Sequence, residues 1–281
     1  MNPIRLGLPK GRMQPEIVAL LEGAGLRLRH GGREYRPSIG LDDFEVKLLK
    51  PQNIVEMLHA GSRDLGFAGA DWVAELNADL VELLDTGFNP VTLVAAAPAT
   101  LVDLNQPLIV ASEYVRIADG WMKRRGLGDK FVRSYGATEV FPPEDADCII
   151  DIAASGATLR ANGLVVVDEL MQSSTKLYAN RQALEDPLKR SSIEGFVLLI
   201  KSVLDARNRV MLEMNVESGL LETLTTMLPC MREPTVSPLH HSAGYAVKVA
   251  VRRSEVPLLI PRIKAAGGTD IVITELAQIV A

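Results

Sequence analysis

The stretch from Ala146 to Leu164, ADCIIDIAASGATLRANGL, sets out residue types that can hold a phosphorylated sugar. An apolar strand candidate ends in Asp151, small residues follow over 153–157, and Thr158 opens a helix-like segment over 159–162. A phosphate needs backbone N–H groups aimed at it and no side chains in the way. A small-residue turn at a helix N-terminus supplies both, and the helix dipole favours the negative charge. Ser155 and Thr158 add hydroxyl donors. Asp151 is acceptor-only when ionised, which suits ribose hydroxyls. Asp147 lies on the same strand face and is expected as a structural partner rather than a ligand. There is no Walker lysine and no GxGxxG, so neither a P-loop nor a dinucleotide site fits. The competing reading is a plain strand–turn–helix junction with a Ser/Thr cap.

Other candidates are cationic or acidic residues near strand ends. Lys10 and Arg12 follow the strand candidate at 4–8, at the end of a strand where open α/β sheets bind ligands. They either neutralise phosphates or form a solvated basic turn, and the first reading is favoured. Arg33 and Arg36 face the same choice with neither side favoured. Lys50, before Pro51, sits at a strand end and can reach the same cleft. Asp71 either contacts a nucleotide or caps the helix expected over 72–76. Tyr114 either stacks near the cleft or packs as an ordinary core residue. No Ser/His or Cys/His pair points to a covalent nucleophile. Cys148 and Cys230 form no CxxC, His30, His59, His240 and His241 form no HExxH, and the His240–His241 pair reads as a solvated loop.

Strands and helices must alternate to position these residues. The expected order is a strand over 4–8, helix 15–22, strand 46–49, helix 51–60, strand 64–70, helix 72–76 and strand 91–97. A second block repeats the pattern: strand 108–111, helix 117–125, strand 131–134, strand 148–152 and strand 164–167. A long helix over 189–206 follows. Such alternation predicts an α/β part with a mostly parallel sheet. Beyond residue 209 the order becomes strand 210–216, helix 218–228, strands 233–239 and 245–251, helix 256–266 and strand 270–276, a βαββαβ ferredoxin-like arrangement.

Composition bounds the rest. The 281 residues carry a net charge of −5, with 47% apolar and 23% charged residues, an ordinary globular balance. A duplex nucleic-acid binder would show a basic face, so nucleic acid is not expected as a partner. No apolar run reaches membrane-spanning length. The opening MNPIRLGLPKGR lacks the apolar core of a secretion signal, and cysteine usage fits a reducing compartment; a cytoplasmic protein is expected.

The string from Glu139 to Leu164 resembles the signature of the ATP phosphoribosyltransferase family, the first enzymes of histidine biosynthesis. GLPKGR, DLGFAGADWV (64–73), PTVSPL (234–239) and the closing AAGGTDIVITEL resemble further segments of its long form, in the same order. The resemblance implies condensation of ATP with 5-phosphoribosyl 1-pyrophosphate (PRPP) to phosphoribosyl-ATP and pyrophosphate, with Mg²⁺. It implies a two-lobed catalytic part like periplasmic binding proteins of type II: lobe I from 1–98 plus 178–209, and lobe II, which binds PRPP, from 99–177. Residues 210–281 would form an ACT-like regulatory domain that binds L-histidine as a feedback inhibitor.

Carried over by motif, PRPP falls to Glu139, Asp151, Ala154, Ser155, Gly156, Ala157, Thr158 and Leu159, with Glu139 also a candidate for Mg²⁺. ATP falls to Lys10, Arg12, Arg33, Lys50 and Asp71; Lys10, Arg12 and Asp151 are the catalytic candidates. Histidine falls to Asn215, Met231, Thr235, Ser237 and Thr269 or Asp270. Ala154 stands where many relatives carry Ser or Thr, and Asn215 where relatives often carry Asp. AMP is a further candidate inhibitor, and dimers assembling into hexamers are implied. Rival readings are a two-lobed anion receptor without turnover, a PRPP transferase with another acceptor, and a silent regulatory paralogue.

Overall fold

The computed structural model describes residues 3–29, 35–101, 106–231 and 233–280. By contact, the chain divides into two compact units, Met1–Ala19 with Leu26–Gly195, and Leu20–Gly25 with Phe196–Ala281. No helix among the described residues is long and apolar enough to cross a membrane.

In chain order the elements leading to the first unit's centre are β1 (Ile4–Pro9), α1 (Gln14–Gly23), β2 (Phe44–Leu49), α2 (Pro51–His59), β3 (Leu65–Gly69), α3 (Ala70–Glu75) and β4 (Val81–Pro98). They continue as β5 (Val110–Ser112), α4 (Val115–Arg125), β6 (Phe131–Arg133), β7 (Cys148–Ala153), α5 (Ala157–Ala161), β8 (Leu164–Ala179), α6 (Arg181–Glu185) and α7 (Pro187–Arg207). β3 is buried along its whole length, as expected of a strand covered on both faces. α2 begins with Pro51, whose missing N–H is no loss at a first turn, and buries Ile54, Val55 and Leu58 on one face. α4 ends on Gly126 at φ +68°, with Lys123, Arg124 and Arg125 in its last turn, where cations meet the negative end of the dipole.

The strands form one eight-stranded sheet in the order β2-β1-β3-β8-β4-β7-β5-β6. The expectation of a mostly parallel sheet needs correction. β2, β1 and β3 are parallel, as are β7, β5 and β6, but β3–β8, β8–β4 and β4–β7 are antiparallel. The reason lies in β4, expected over 91–97 but 18 residues long, and in β8, expected as a strand over 164–167 and another after Ser174 but one strand of 16 residues. Their pairing carries register shifts between Asp85 and Phe88 and between Phe88 and Val91. Gly87 and Asn89 there have positive φ, so what reads as turn chemistry is bulge chemistry inside a strand.

A buried ion cluster ties α7 to the sheet. The Asp64 carboxylate accepts from Arg5 Nη2 and Lys189 Nζ, both at 2.8 Å, and from the Arg5 backbone N–H. Burial works to raise its pKa, but the bonds from Arg5 and Lys189 outweigh burial and hold it near 2.

The second unit contains β9 (Arg209–Val216), α8 (Leu221–Thr226), β10 (Thr235–Pro238), β11 (Tyr245–Arg252), α9 (Val256–Ala265) and β12 (Thr269–Glu275). The sheet order β10-β11-β9-β12 is antiparallel throughout, the expected βαββαβ arrangement. The helix expected over 218–228 is a 3₁₀ turn, Ser218–Leu220, followed by the shorter α8. β9 alternates strictly, burying Val210, Leu212, Met214 and Val216 against Val247, Val249, Leu259 and Ile263.

Candidate active site

β7 delivers Asp151 into a pocket of about 190 Å³ lined by Arg12, Glu139 and residues 151–159. All eight residues assigned to PRPP line it. The helix here starts at Ala157, one residue before Thr158, and Gly156 is its N-cap at φ +68° with no side-chain cap bond. That correction has a simple cause: glycine reaches the left-handed region without a Cβ clash, so the backbone rather than a hydroxyl turns the chain into α5. A Cβ on Gly156 would sit 3.0 Å from Arg160 Nη1. The Ser155 hydroxyl accepts from the Ala157 N–H at 3.4 Å. The first-turn N–H groups of a helix have no intrahelical acceptor and are free to face an anion.

Asp151 is half-buried. Desolvation pushes its carboxyl up to about 6; Glu139 and Glu113 push the same way, against hydrogen bonds from the Ile152 N–H and Thr138. A perturbed carboxyl in a pocket is the usual mark of a functional group. Asp147 instead accepts from the Ile109 N–H at 2.8 Å, a structural role.

Two further cavities share walls with this pocket. One of about 220 Å³ is lined by Lys10, Arg12, Gln52, Asp71, Trp72, Asn89 and Ser173, among others. One of about 580 Å³ is lined by Asp85, Thr92, Ala153, Ala154, Gln172, Ser173 and Lys176, with others. Arg12 belongs to the first two, Ser173 to the last two, and Ala154 to the loop pocket and the largest, so the three make one polar cleft. Lys10 Nζ lies 5.2 Å from the ring centroid of the exposed Tyr35.

Asp71 is not the helix cap. Gly69 holds that position, and Asp71 sits in the first turn of α3, only 5% exposed. Its carboxylate accepts from Ser173 Oγ and from the Tyr114 hydroxyl, each at 2.6 Å. Burial and the Asp71 charge push the Tyr114 phenol up, so it stays a neutral donor. Trp72 stacks on Tyr114 with centroids 4.8 Å apart. A Cβ on Gly69 would run into Asp71 Oδ1, so a larger residue there would push the carboxylate off its partners. Lys50 follows β2 as the N-cap of α2 and lines none of the three cavities, nor does Arg36. Arg33 lies outside the described residues. Cys148, its thiol pushed up to about 12 by burial, is no nucleophile.

Sequence reasoning missed Ser173, Gln172, Lys176, Asp85, Asn89 and Glu113. Asp85, Asn89, Gln172 and Ser173 lie on the unassigned parts of β4 and β8, and Lys176 on the strand expected after Ser174; the alternation of QSSTKLY was the available signal.

In the second unit, Ser237, Ala246, Asn215 and Thr269 lie side by side across the sheet. Asn215 Nδ2 donates to Asp270 Oδ2 at 3.0 Å, as does Thr269 Oγ1 at 3.1 Å. Asp270 takes φ +49°. Thr235 and Ser237 are exposed on β10, and Met231 is 41% exposed.

Residues 50–202 match the family model described as HisG: ATP phosphoribosyltransferase, and 206–278 match HisG, C-terminal domain. The chain is 38% identical to the ATP phosphoribosyltransferase of Pelotomaculum thermopropionicum, over 99% of each chain. It is 38% identical to that of Chlorobium phaeovibrioides, over 95% of this chain and 94% of the relative. A solved ATP phosphoribosyl transferase (HisG:HisZ) complex from Thermotoga maritima superposes on 72% of this chain and 98% of its own, with a TM-score of 0.66 at 22% identity, a likeness of fold.

Proposed function

The chain belongs to the ATP phosphoribosyltransferase family, transferases that open histidine biosynthesis, and we propose from the cleft's chemistry how it joins ATP to PRPP. A ring nitrogen of adenine attacks the anomeric carbon; the bond from that carbon to pyrophosphate breaks and its electron pair leaves with pyrophosphate. The transition state has oxocarbenium character, so catalysis rests on alignment and on neutralising the departing charge. The observation that carries this reading is the convergence of Arg12, Asp151 and the 153–159 turn in one pocket.

In that reading the turn holds the 5-phosphate through Ser155, Gly156, Ala157, Thr158 and Leu159, with Ala154 offering its backbone. Ionised Asp151 takes the ribose hydroxyls. Lys10 and Arg12 meet the phosphates of pyrophosphate or ATP, Asp71 lies beside the nucleotide, and Glu139 faces ribose. Two lobes, 1–98 with 178–209 and 99–177, close over the substrates and exclude water from PRPP.

Magnesium fits this donor set. The described residues hold no group of three or more candidate metal ligands, but Mg²⁺ is commonly held by one or two carboxylates plus substrate phosphates. Asp151 and Glu139 line one pocket and supply that pair. When bound, the ion would spread the pyrophosphate's negative charge.

Residues 210–281 are proposed to sense L-histidine through Asn215, Met231, Thr235, Ser237 and Asp270. Asp270, bonded to Asn215, offers the carboxylate for the ligand's ammonium group that Asn215 itself does not carry. Inhibition by AMP, a cytoplasmic location and assembly into dimers and hexamers complete the proposal.

The test follows the ultraviolet-absorbing adduct formed from ATP, PRPP and Mg²⁺, with and without L-histidine. Adduct formation that histidine suppresses is expected. No adduct would refute the transferase assignment, and adduct insensitive to histidine would refute the regulatory one alone.

A further inference from the structure

A cavity of about 640 Å³ in the second unit is lined by Asp205, Arg207, Asn208, Arg209, Arg252, Arg253 and Ser254. None of these residues belongs to the polar cleft or to the residues proposed for histidine. Arg209 and Arg252 are direct cross-strand partners on β9 and β11. Like charges directly opposite on a sheet repel and cost stability, so the pairing calls for a counter-charge. Among the described residues no salt bridge reaches Arg209 or Arg252. Asp205 is engaged by Lys201 and Glu275 by Arg253. Asn208 and Arg253 are fixed by the bond from the Arg253 N–H to the Asn208 carbonyl at 3.0 Å, which holds the two arginine-bearing segments together.

We infer that this cavity is a polyphosphate-binding site on the C-terminal module. Guanidinium groups present planar forks of N–H donors that bind phosphate oxygens bidentately. Several converging on one cavity favour a ligand with charge on adjacent phosphates over a single carboxylate. Arg209 and Arg252 stand on neighbouring strands and so can span two such groups, while Arg253, Asn208 and Ser254 bring further donors.

Calorimetric titration of inorganic pyrophosphate into the full chain tests this. Wild-type protein should show two classes of site. Arg209→Gln/Arg252→Gln should weaken one class at least ten-fold and leave the other intact, and should leave turnover of ATP and PRPP unchanged. Arg12→Gln should weaken the other class, the one in the polar cleft. Circular dichroism melts confirm that the variants fold, and single Arg252→Gln serves if the double variant does not. Raising salt should weaken the arginine site, as expected of a charge-driven contact. Pyrophosphate binding to the folded double or single variant identical to wild type overturns the inference, as does a single class of site that Arg12→Gln abolishes. The transferase assay stands apart from this titration, so failure of either is read separately.

Discussion

The Tyr114 hydroxyl, at the start of α4, donates at 2.6 Å to the Asp71 carboxylate, in the first turn of α3. The same carboxylate takes the Ser173 hydroxyl from β8 at 2.6 Å, so one buried acid links three segments that are distant in sequence. Tyr114→Phe removes one donor and leaves a buried charged oxygen short of a partner, at a cost of about 1–3 kcal/mol. A lower melting temperature is the expected outcome. A melt equal to wild type would mean that water or another group replaces the hydroxyl.

Asp151 couples stability and activity in opposite directions. Its folded pKa of about 6 lies above its ordinary value of 3.8. The folded state therefore binds the proton more tightly, and this group's contribution to stability falls as pH rises from about 4 through 6. Asp151→Asn should melt a few degrees higher than wild type at pH 8, yet lose turnover by about two or more orders of magnitude. Wild-type turnover should itself decline below pH 6 as the carboxyl takes its proton. A variant that melts lower at pH 8 would show that the carboxylate is held by contacts stronger than its desolvation.

Asp64 works the other way. With Arg5 and Lys189 bound to it, its pKa sits near 2, so its stabilisation is complete above about 4 and disappears as pH falls toward 2. Asp64→Asn strands a half-buried guanidinium and a half-buried ammonium, and should cost about 3 kcal/mol at pH 7. Denaturant titration at pH 7 and at pH 3 checks this, with the gap between variant and wild type narrowing at the lower pH.

Gly156→Val places a β-branched residue at φ +68°, with its Cβ against Arg160. Strain of about 1–3 kcal/mol is expected. Because the distortion falls on the proposed phosphate turn, KM for PRPP should rise at least ten-fold while KM for ATP stays near wild type. Steady-state kinetics with each substrate varied in turn would expose an equal effect on both, which would place the turn elsewhere in the reaction.

Much of this was legible in the chain. The string through SGATL located the turn, because the whole string and its family resemblance, rather than the small residues alone, set it apart from an ordinary strand–turn–helix junction. DLGFAGADWV marked a buried strand and the acid that follows it. Asp71 was legible as important but not in its role: its partners Tyr114 and Ser173 lie far off in sequence, and no local pattern announces a pairing across a sheet. β4 and β8 were read too short for a related reason. Gly87, Asn89 and Pro90 look like a loop, and only pairing with a distant strand turns them into bulges. Ser173 fell in the gap between the strand read over 164–167 and the one read after Ser174, which are a single strand.

The antiparallel seam between β3 and β8 also has a consequence for how the chain is made. Leu65 pairs with Ala179 and Gly69 with Thr175, so β3 meets this neighbour only after more than a hundred further residues have been synthesised. At ordinary translation rates that is on the order of ten seconds. Throughout that interval β1, β2 and β3 can pair with one another, but the far edge of the apolar β3 is open to any passing strand. Newborn chains are thus most prone to aggregate before residue 175 appears, and a ribosome stalled between residues 100 and 170 should display a chain that chaperones bind and that the completed fold no longer offers.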